Sequence, residues 1–320
     1  MNRSARRKIL VLVALVGFAA FLGIAKGAVS IPLAELFLRE NRQILFLRLL
    51  RILMGAVAGS GLAVSGIALQ AILRNPLAEP YLLGTSSGAG LGAVIAIVCG
   101  AASFYLPLAA FIGAVMSVVL VYAIARQGNK VPVQSLILSG VIVSIALSGV
   151  VVFLISFSAH GALHGLMWWL WGSLEVYDVR LLFIVSAVVM AGIVATFIFS
   201  QDLNAMSIGE EEAIHLGIKT ETVKKVLFFL TSFITASLVS ISGIIGFVGL
   251  VIPHMMRFVV GPNHKILIPC TCLAAAAFMI ACDTLGRTLF SPLEIPIGVI
   301  TAIIGAPVFI ILLKTKQKVT

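Results

Sequence analysis

Long stretches without a charged side chain constrain this sequence more than any other feature. Asp, Glu, Lys and Arg leave eight uncharged runs of 17 to 46 residues, at 9–25, 52–73, 80–125, 131–174, 181–201, 226–256, 266–282 and 295–313. A charge at the centre of a bilayer costs several kcal/mol, and a helix needs about 20 apolar residues to cross the hydrocarbon core. The runs therefore predict an all-α polytopic membrane protein surrounded by lipid.

Composition excludes the main classes of soluble protein. Charged residues make up 11% of the chain and hydrophobic residues 61%. A soluble domain needs roughly 25–35% ionisable residues on its surface, which this chain cannot supply. A soluble enzyme, a nucleic-acid-binding domain, a disordered protein and a disulfide scaffold are all excluded. The net charge of +10 is therefore expected to report membrane orientation rather than a nucleic-acid partner.

The uncharged runs leave a choice between nine and ten membrane spans. The 46-residue run is long enough for two helices, with a turn at 100–107, and the 44-residue run predicts one span near 134–157. As a single helix, the run 226–256 would extend about 46 Å, well beyond a hydrocarbon core of about 30 Å. Three glycines and a proline between 243 and 253 offer places to break it. A break there gives ten spans.

Positive charges at both ends of the chain favour ten. Four Lys or Arg residues precede the first span and three lysines follow the last. Such flanks favour the cytoplasm, so both termini are expected there and the number of crossings is even. With ten spans, the cytoplasmic segments hold 15 of the 22 Lys and Arg residues. The basic start is also compatible with a signal peptide, but the lack of a clear cleavage site favours an uncleaved helix.

Two features of the sequence indicate where the energy for any transport would come from. The sequence has no G-x-x-x-x-G-K-[ST] loop, so P-loop hydrolysis of ATP by this chain is not expected. All 12 Asp and Glu residues are predicted at span edges or in loops, whereas ion-coupled carriers keep an ionisable group near the midplane. Energy for any transport is therefore expected from a partner. No metal-site spacing is visible, and His160 and His164, beside three tryptophans, are better explained as interface residues.

The longest predicted cytoplasmic segment, residues 201–225, has the pattern of a compact helical element. Ser207 lies three residues before Glu210, which predicts a capping box at the start of a short helix ending at His215. Gly217 is suited to end that helix as its C′ residue. The segment either lies on the membrane surface or docks with a partner. Three consecutive glutamates at the helix start favour docking, because anionic lipid would repel them.

Four groups of short motifs resemble one known family. They are RLLR at 48–51 with AVSGIALQ at 63–70, RNPLA at 74–78 and LGTSSGA at 83–89; GEEEAIHLG at 209–217; SGIIGFVGLVIPHMMR at 242–257; and DTLGR at 283–287 with EIPIGVITAIIGAP at 294–307. As a set they are similar to the iron-chelate and vitamin B12 (FecCD-type) permeases of binding-protein-dependent ABC importers. One departure is Leu50, where the family commonly has proline, and this puts a local turn in question.

The resemblance implies a single transmembrane permease domain over 1–320, with its coupling loop at 201–225. It implies a homodimer or paired heterodimer, two cytoplasmic ATP-binding cassette subunits that hold ATP and Mg, and an extracytoplasmic solute-binding protein. This chain would bind no cofactor itself. It would be a multi-pass protein of the cytoplasmic membrane of a prokaryote. Short coupling helices between spans six and seven would contact the ATPase through Ser207, Gly209, Glu210, Glu211, Glu212, Ala213, Leu216 and Gly217.

Two further sets of residues are candidates for function. The resemblance implies that Arg48, Arg51 and Arg287, at predicted outer helix ends, bind glutamates of the solute-binding protein. The alternative is that these arginines only extend to the interface. Gly298, Thr301 and Gly305 recur at i, i+3 and i+7 and form a small, weakly polar stripe. The stripe either lines a translocation pathway or allows close helix packing.

Three functional hypotheses follow. The leading one is the permease subunit of an ATP-driven importer for iron chelates, either siderophores or haem, with cobalamin as the alternative cargo within the same family. The second is an ion-coupled secondary carrier, which the expected lack of a midplane carboxylate disfavours. The third is a membrane enzyme that uses His160 and His164.

Overall fold

The computed structural model describes residues 3–128, 130–157, 167 and 169–317. Because no water reaches the bilayer core, backbone groups there must be satisfied within the chain, and a helix does this locally. The helices are α1 (Arg3–Ala25), α2 (Leu33–Leu36), α3 (Arg42–Ile72), α4 (Thr85–Val98), α5 (Leu106–Ala125), α6 (Val133–Ser156), α7 (Val179–Ile198), α8 (Ser200–Ile208), α9 (Glu210–His215), α10 (Thr220–Ser242), α11 (Val248–Val260), α12 (His264–Thr288) and α13 (Ile297–Gln317).

Seven helices among the described residues are long and apolar enough to cross a membrane, namely α1, α3, α5, α6, α7, α10 and α12. Shorter apolar helices are α4, α11 and the Ile297–Leu312 part of α13. The predicted all-helical polytopic architecture agrees with this arrangement. Ten crossings would require each shorter helix to complete its passage with neighbouring non-helical chain. The count of ten and the orientation of the termini stay predictions.

Helix boundaries follow the turn signals in the sequence. α4 and α5 are separated at 99–105, close to the predicted turn, and α6 matches the span predicted at 134–157. The run 226–256 is interrupted between Ser242 and Val248, while Pro253 lies inside α11. α3 continues through Leu50, so this position carries no turn. His160 and His164 lie outside the described residues.

The centre of the bundle is built on α3, which is buried from Leu62 to Leu73. Glycines on this helix allow backbones to approach closely. A Cβ atom at Gly66 would overlap the carbonyl oxygen of Gly249 at the start of α11. A Cβ atom at Gly59 would likewise overlap the carbonyl oxygen of Ala275 on α12. Small residues at contacts of this kind are typical of helix packing in membranes.

Candidate functional site

Side-chain contacts distinguish the two ends of the helical bundle. At the first end, Lys8 Nζ donates to the carbonyl oxygen of Val259 (2.6 Å), and Asn204 Oδ1 accepts from the backbone N–H of His264 (2.8 Å). The start of α1, the end of α11 and helix α8 therefore lie together there. We call it the N-terminal end, and the end that carries Arg48 and Arg51 the opposite end.

Residues 200–217 at the N-terminal end form two short helices, α8 and α9, which we call the knob. The predicted capping box is wrong. α8 continues to Ile208, so Ser207 is helical and its hydroxyl donates to the carbonyl oxygen of Leu203 (2.7 Å). Gly209 instead occupies the N-cap of α9, with the carboxylate of Glu212 folded over it.

The predicted end of α9 is confirmed. Gly217 has a φ of 82°, in the left-handed region that favours glycine. Its N–H donates to the carbonyl oxygen of Ile214 (2.8 Å), and the N–H of Ile218 donates to that of Ala213 (3.0 Å). These two bonds define a Schellman motif. The chain therefore turns sharply after α9 and enters α10.

The knob combines a buried base with an exposed apolar surface. Gly209 and Ala213 are buried, whereas Ile208, Ile214 and Leu216 are 74%, 54% and 68% exposed. Glu211 and Glu212 are also exposed, and Glu210 is half-buried. Apolar side chains next to acidic ones at the end of a helical bundle are suited to a protein partner with a complementary groove.

One buried lysine attaches the knob to the bundle. Lys224 on α10 lies 2.5 Å from the Glu210 carboxylate of α9 and 2.8 Å from that of Glu221. The second oxygen of Glu221 accepts from the backbone N–H of Val131, between α5 and α6 (3.1 Å). The network therefore connects the knob, the start of α10 and the α5–α6 loop.

The three predicted docking arginines are buried or half-buried and have internal partners. Arg48 donates to the carbonyl oxygen of Ile24 (2.6 Å), in the last turn of α1, and to that of Val29 (2.7 Å), just after this helix. Arg51 donates to Asp283 (2.9 Å) and binds both carboxylate oxygens of Glu294 (3.2 and 2.6 Å). Arg287 Nε lies 2.9 Å from the other Asp283 oxygen. This arginine cluster joins α1, α3, α12 and the α12–α13 connection, and its docking role stays a prediction.

The small-residue stripe on α13 lies in close contacts within the chain. The N–H of Gly298 donates to the carbonyl oxygen of Trp171 (3.0 Å). Thr301 is fully buried and donates to the carbonyl oxygen of Gly298 (3.1 Å). A Cβ atom at Gly305 would lie 2.6 Å from Cβ of Phe247. These contacts are typical of helix packing, and a pathway role for the stripe stays a prediction.

The interruption between α10 and α11, residues 243–247, is held by side chains for which the sequence predicts no such role. We call this segment the break. Its backbone N–H groups at Phe247 and Ile245 donate to Glu79 Oε1 (2.9 Å) and to the hydroxyl of Tyr81 (3.1 Å). Gln70 Nε2 donates to the carbonyl oxygens of Gly249 (3.3 Å) and Leu250 (3.4 Å), while its Oε1 accepts from Arg257. Non-helical backbone inside a membrane protein requires partners of this kind.

Glu79 lies in the connection between α3 and α4, as predicted, but this connection contacts the break inside the bundle. Glu79 contacts Phe247, immediately before the 13 residues of α11. At 1.5 Å per residue, Phe247 is about 20 Å from the far end of α11. The signal that was missed is Glu79 itself, which with Arg74 is one of two charges between the uncharged runs 52–73 and 80–125. Among the described residues, no group of three His, Cys, Asp or Glu side chains is placed to hold a metal ion.

Two relatives of this chain are permease proteins of import systems. The chain is 40% identical over 275 residues to the cobalamin import system permease protein BtuC of Halobacterium salinarum, covering 85% of this chain and 73% of that protein. It is 38% identical over 277 residues to the Fe(3+)-citrate import system permease protein YfmE of Bacillus subtilis, covering 85% and 81%.

The fold agrees with these relatives. A solved structure of a protein assigned as a metal-chelate type ABC transporter, in an inward-facing conformation, matches with a TM-score of 0.87 and 33% identity. The match covers 97% of this chain and 99% of that one. A sequence model of the FecCD transport family matches residues 11–315. The chain therefore belongs to the FecCD transport family.

Proposed function

We propose that this chain is the permease subunit of an ATP-driven importer, with ten crossings and both termini in the cytoplasm of a prokaryotic cell. The knob carries the proposal: its exposed Ile208, Ile214 and Leu216 stand on a base fixed by Lys224. ATP-binding cassette subunits would contact this surface and supply the hydrolysis. Family membership supports this assembly, together with a second permease subunit and a solute-binding protein.

The proposed cargo is an iron chelate, a siderophore or haem, with cobalamin as the alternative. The relatives include importers named for ferric citrate and for cobalamin, and the matching structure is of the metal-chelate type. We also propose that the solute-binding protein docks at the opposite end, where Arg51 is partly exposed beside Glu294. A carboxylate of the binding protein would then compete with Glu294 for Arg51.

Measuring ATP hydrolysis by the purified assembly tests the proposed function. We expect the cassette subunits with this chain to hydrolyse ATP faster when cargo-loaded binding protein is added on the opposite side of the bilayer. Binding protein loaded with ferric citrate, haemin or cyanocobalamin would distinguish the cargoes. Transport by this chain alone, in vesicles without any ATPase, would overturn the proposal and favour an ion-coupled carrier, for which Glu79 is the obvious ionisable group.

A further inference from the structure

Four neighbouring residues form a partly exposed polar surface within the bundle. Glu79, Tyr81, Gly246 and Phe247 are each half-buried. Glu79 accepts a hydrogen bond from the N–H of Phe247, and the Tyr81 hydroxyl accepts one from the N–H of Ile245, the residue before Gly246. Of their chain neighbours, Ala78, Ile245 and Val248 are at most 1% exposed, whereas Leu82 is half-buried. We call these four residues the Glu79 surface. It is an opening in a mostly closed part of the protein.

The depth of this surface follows from two helices. Phe247 lies about 20 Å from the far end of α11, counted along its 13 residues. Phe247 also packs against Gly305, which is eight residues, or about 12 Å, from the start of α13. Together these lengths equal about 32 Å, close to the thickness of a hydrocarbon core. The Glu79 carboxylate therefore lies well inside the membrane.

A carboxylate and non-helical backbone at this depth are unfavourable next to lipid. Intramembrane carboxylates almost always face a bundle interior or a water-filled cavity, and irregular backbone is tolerated in the same two places. Because the Glu79 surface is only half-buried in the single chain, the protein interior does not enclose it. A water-filled passage or a second subunit must cover the remainder.

We propose that the Glu79 surface lines the translocation pathway; this inference rests on the proposed function and adds the residues that contact the cargo. Glu79 Oε1 is occupied by the N–H of Phe247, whereas within the described part of the chain no donor bonds its Oε2. That oxygen faces cargo groups that donate hydrogen bonds, such as the amides and hydroxyls of large chelates and corrins. Gly305 of the small-residue stripe packs against Phe247 of this surface.

Thiol labelling tests this proposal directly. Gly246 suits a cysteine, because among the described residues, its two chain neighbours aside, a Cβ atom there would meet just Glu79 Oε1 within 4 Å, at 3.7 Å. We would place Gly246→Cys in a chain whose Cys99, Cys270, Cys272 and Cys282 are replaced by alanine, and assemble it with the cassette subunits in lipid nanodiscs. The probe is a charged, membrane-impermeant methanethiosulfonate reagent. Ser65→Cys, at a fully buried position, is the matched control.

We expect Gly246→Cys to react at least about tenfold faster than Ser65→Cys, because a charged reagent requires water at the thiol. The rate should also differ between the nucleotide-free and the vanadate-trapped assembly, as the passage changes its access. Labelling no faster than the control in both states would overturn the proposal and indicate that a second permease subunit covers the surface.

ATP-driven uptake by the same cysteine variants, reconstituted in sealed vesicles and measured before labelling, separates the two proposals. If uptake depends on ATP but Gly246→Cys is unreactive, this inference fails and the proposed function stands. If the unlabelled assembly shows no ATP-driven uptake, the proposed function fails whatever the labelling result. Where uptake depends on ATP and Gly246→Cys is reactive, its labelling should also block uptake, whereas exposure of the Ser65→Cys variant to the reagent should not.

Discussion

The carboxylate of Glu79 accepts a hydrogen bond of 2.9 Å from the backbone N–H of Phe247, 168 residues further along the chain. This contact joins the segment after α3 to the break between α10 and α11. Both segments are non-helical at the point of contact, so the backbone N–H of Phe247 has no helical acceptor and must find one in a side chain. The side chain of Glu79 provides an acceptor, and the break provides an unpaired donor.

Replacing Glu79 separates the role of its shape from that of its charge. We expect Glu79→Ala to lower the free energy of unfolding by about 1–3 kcal/mol, because the Phe247 N–H loses its acceptor in a water-poor site. Glu79→Gln keeps an oxygen at that position and should retain most of the stability. Thermal denaturation in detergent would measure both variants. Equal stability of Glu79→Ala and the parent would contradict the role of this contact.

The contact between Gly66 and Gly249 should tolerate no side chain. A Cβ atom at Gly66 would overlap backbone atoms of Gly249, which cannot rotate away. We therefore expect Gly66→Ala to cost about 2–3 kcal/mol of stability through overpacking. Gly17→Ala on α1 is the control, since a Cβ there meets nothing within 4 Å. A difference of less than about 1 kcal/mol between these two variants would show that α3 and α11 can separate freely.

Lys224 should be essential for holding the knob in position. Lys224→Met would leave the Glu210 and Glu221 carboxylates close together without their cation. Because each carboxylate is about one-third exposed, we expect a loss of about 2–3 kcal/mol rather than the full cost of an unpaired buried charge. Lys224→Arg keeps the charge and should retain coupling between ATP hydrolysis and uptake. If Lys224→Met remains fully coupled, the knob does not depend on this ion pair.

The sequence predicted the helices better than it predicted their contacts. Uncharged runs located the long spans, and glycine at 217 ended α9 as predicted, because both signals are local. The capping box predicted at Ser207 is wrong. The spacing of Ser207 to Glu210 suits such a box, but the preceding helix continues through Ser207 to Ile208. Local spacing does not reveal where an earlier helix stops.

Contacts between distant segments were beyond sequence reasoning. The sequence predicts Glu79 at a span edge or in a loop, because a charge within a span is unfavourable. Its position inside the bundle depends on the contact between the break and the segment after α3. Residue spacing within either segment does not predict this contact. The arginine cluster shows the same limit. Asp283 and Arg287 are spaced i, i+4 on one helix, but nothing in the sequence indicates that Arg51, 232 residues earlier, binds the same Asp283.

The exposed apolar side chains of the knob should bind the ATPase without stabilising the chain itself. Leu216→Asp changes a residue that is 68% exposed, so folding stability should change by less than about 0.5 kcal/mol. Loss of an apolar anchor at an interface typically costs about 2 kcal/mol, or roughly a thirtyfold weaker affinity for the cassette subunits. Leu293→Asp, 74% exposed at the opposite end, should leave that affinity unchanged. Equal effects of the two substitutions would exclude the knob as the ATPase contact.

Uptake by reconstituted vesicles tests the central claim that the energy for transport comes from partner subunits. The vesicles would contain this chain and its cassette subunits, with cargo-loaded binding protein outside and ATP or a proton gradient supplied separately. We predict that cargo accumulates with ATP and an uncoupler present, and that no cargo accumulates with the gradient alone. Accumulation driven by the gradient without ATP would contradict the account.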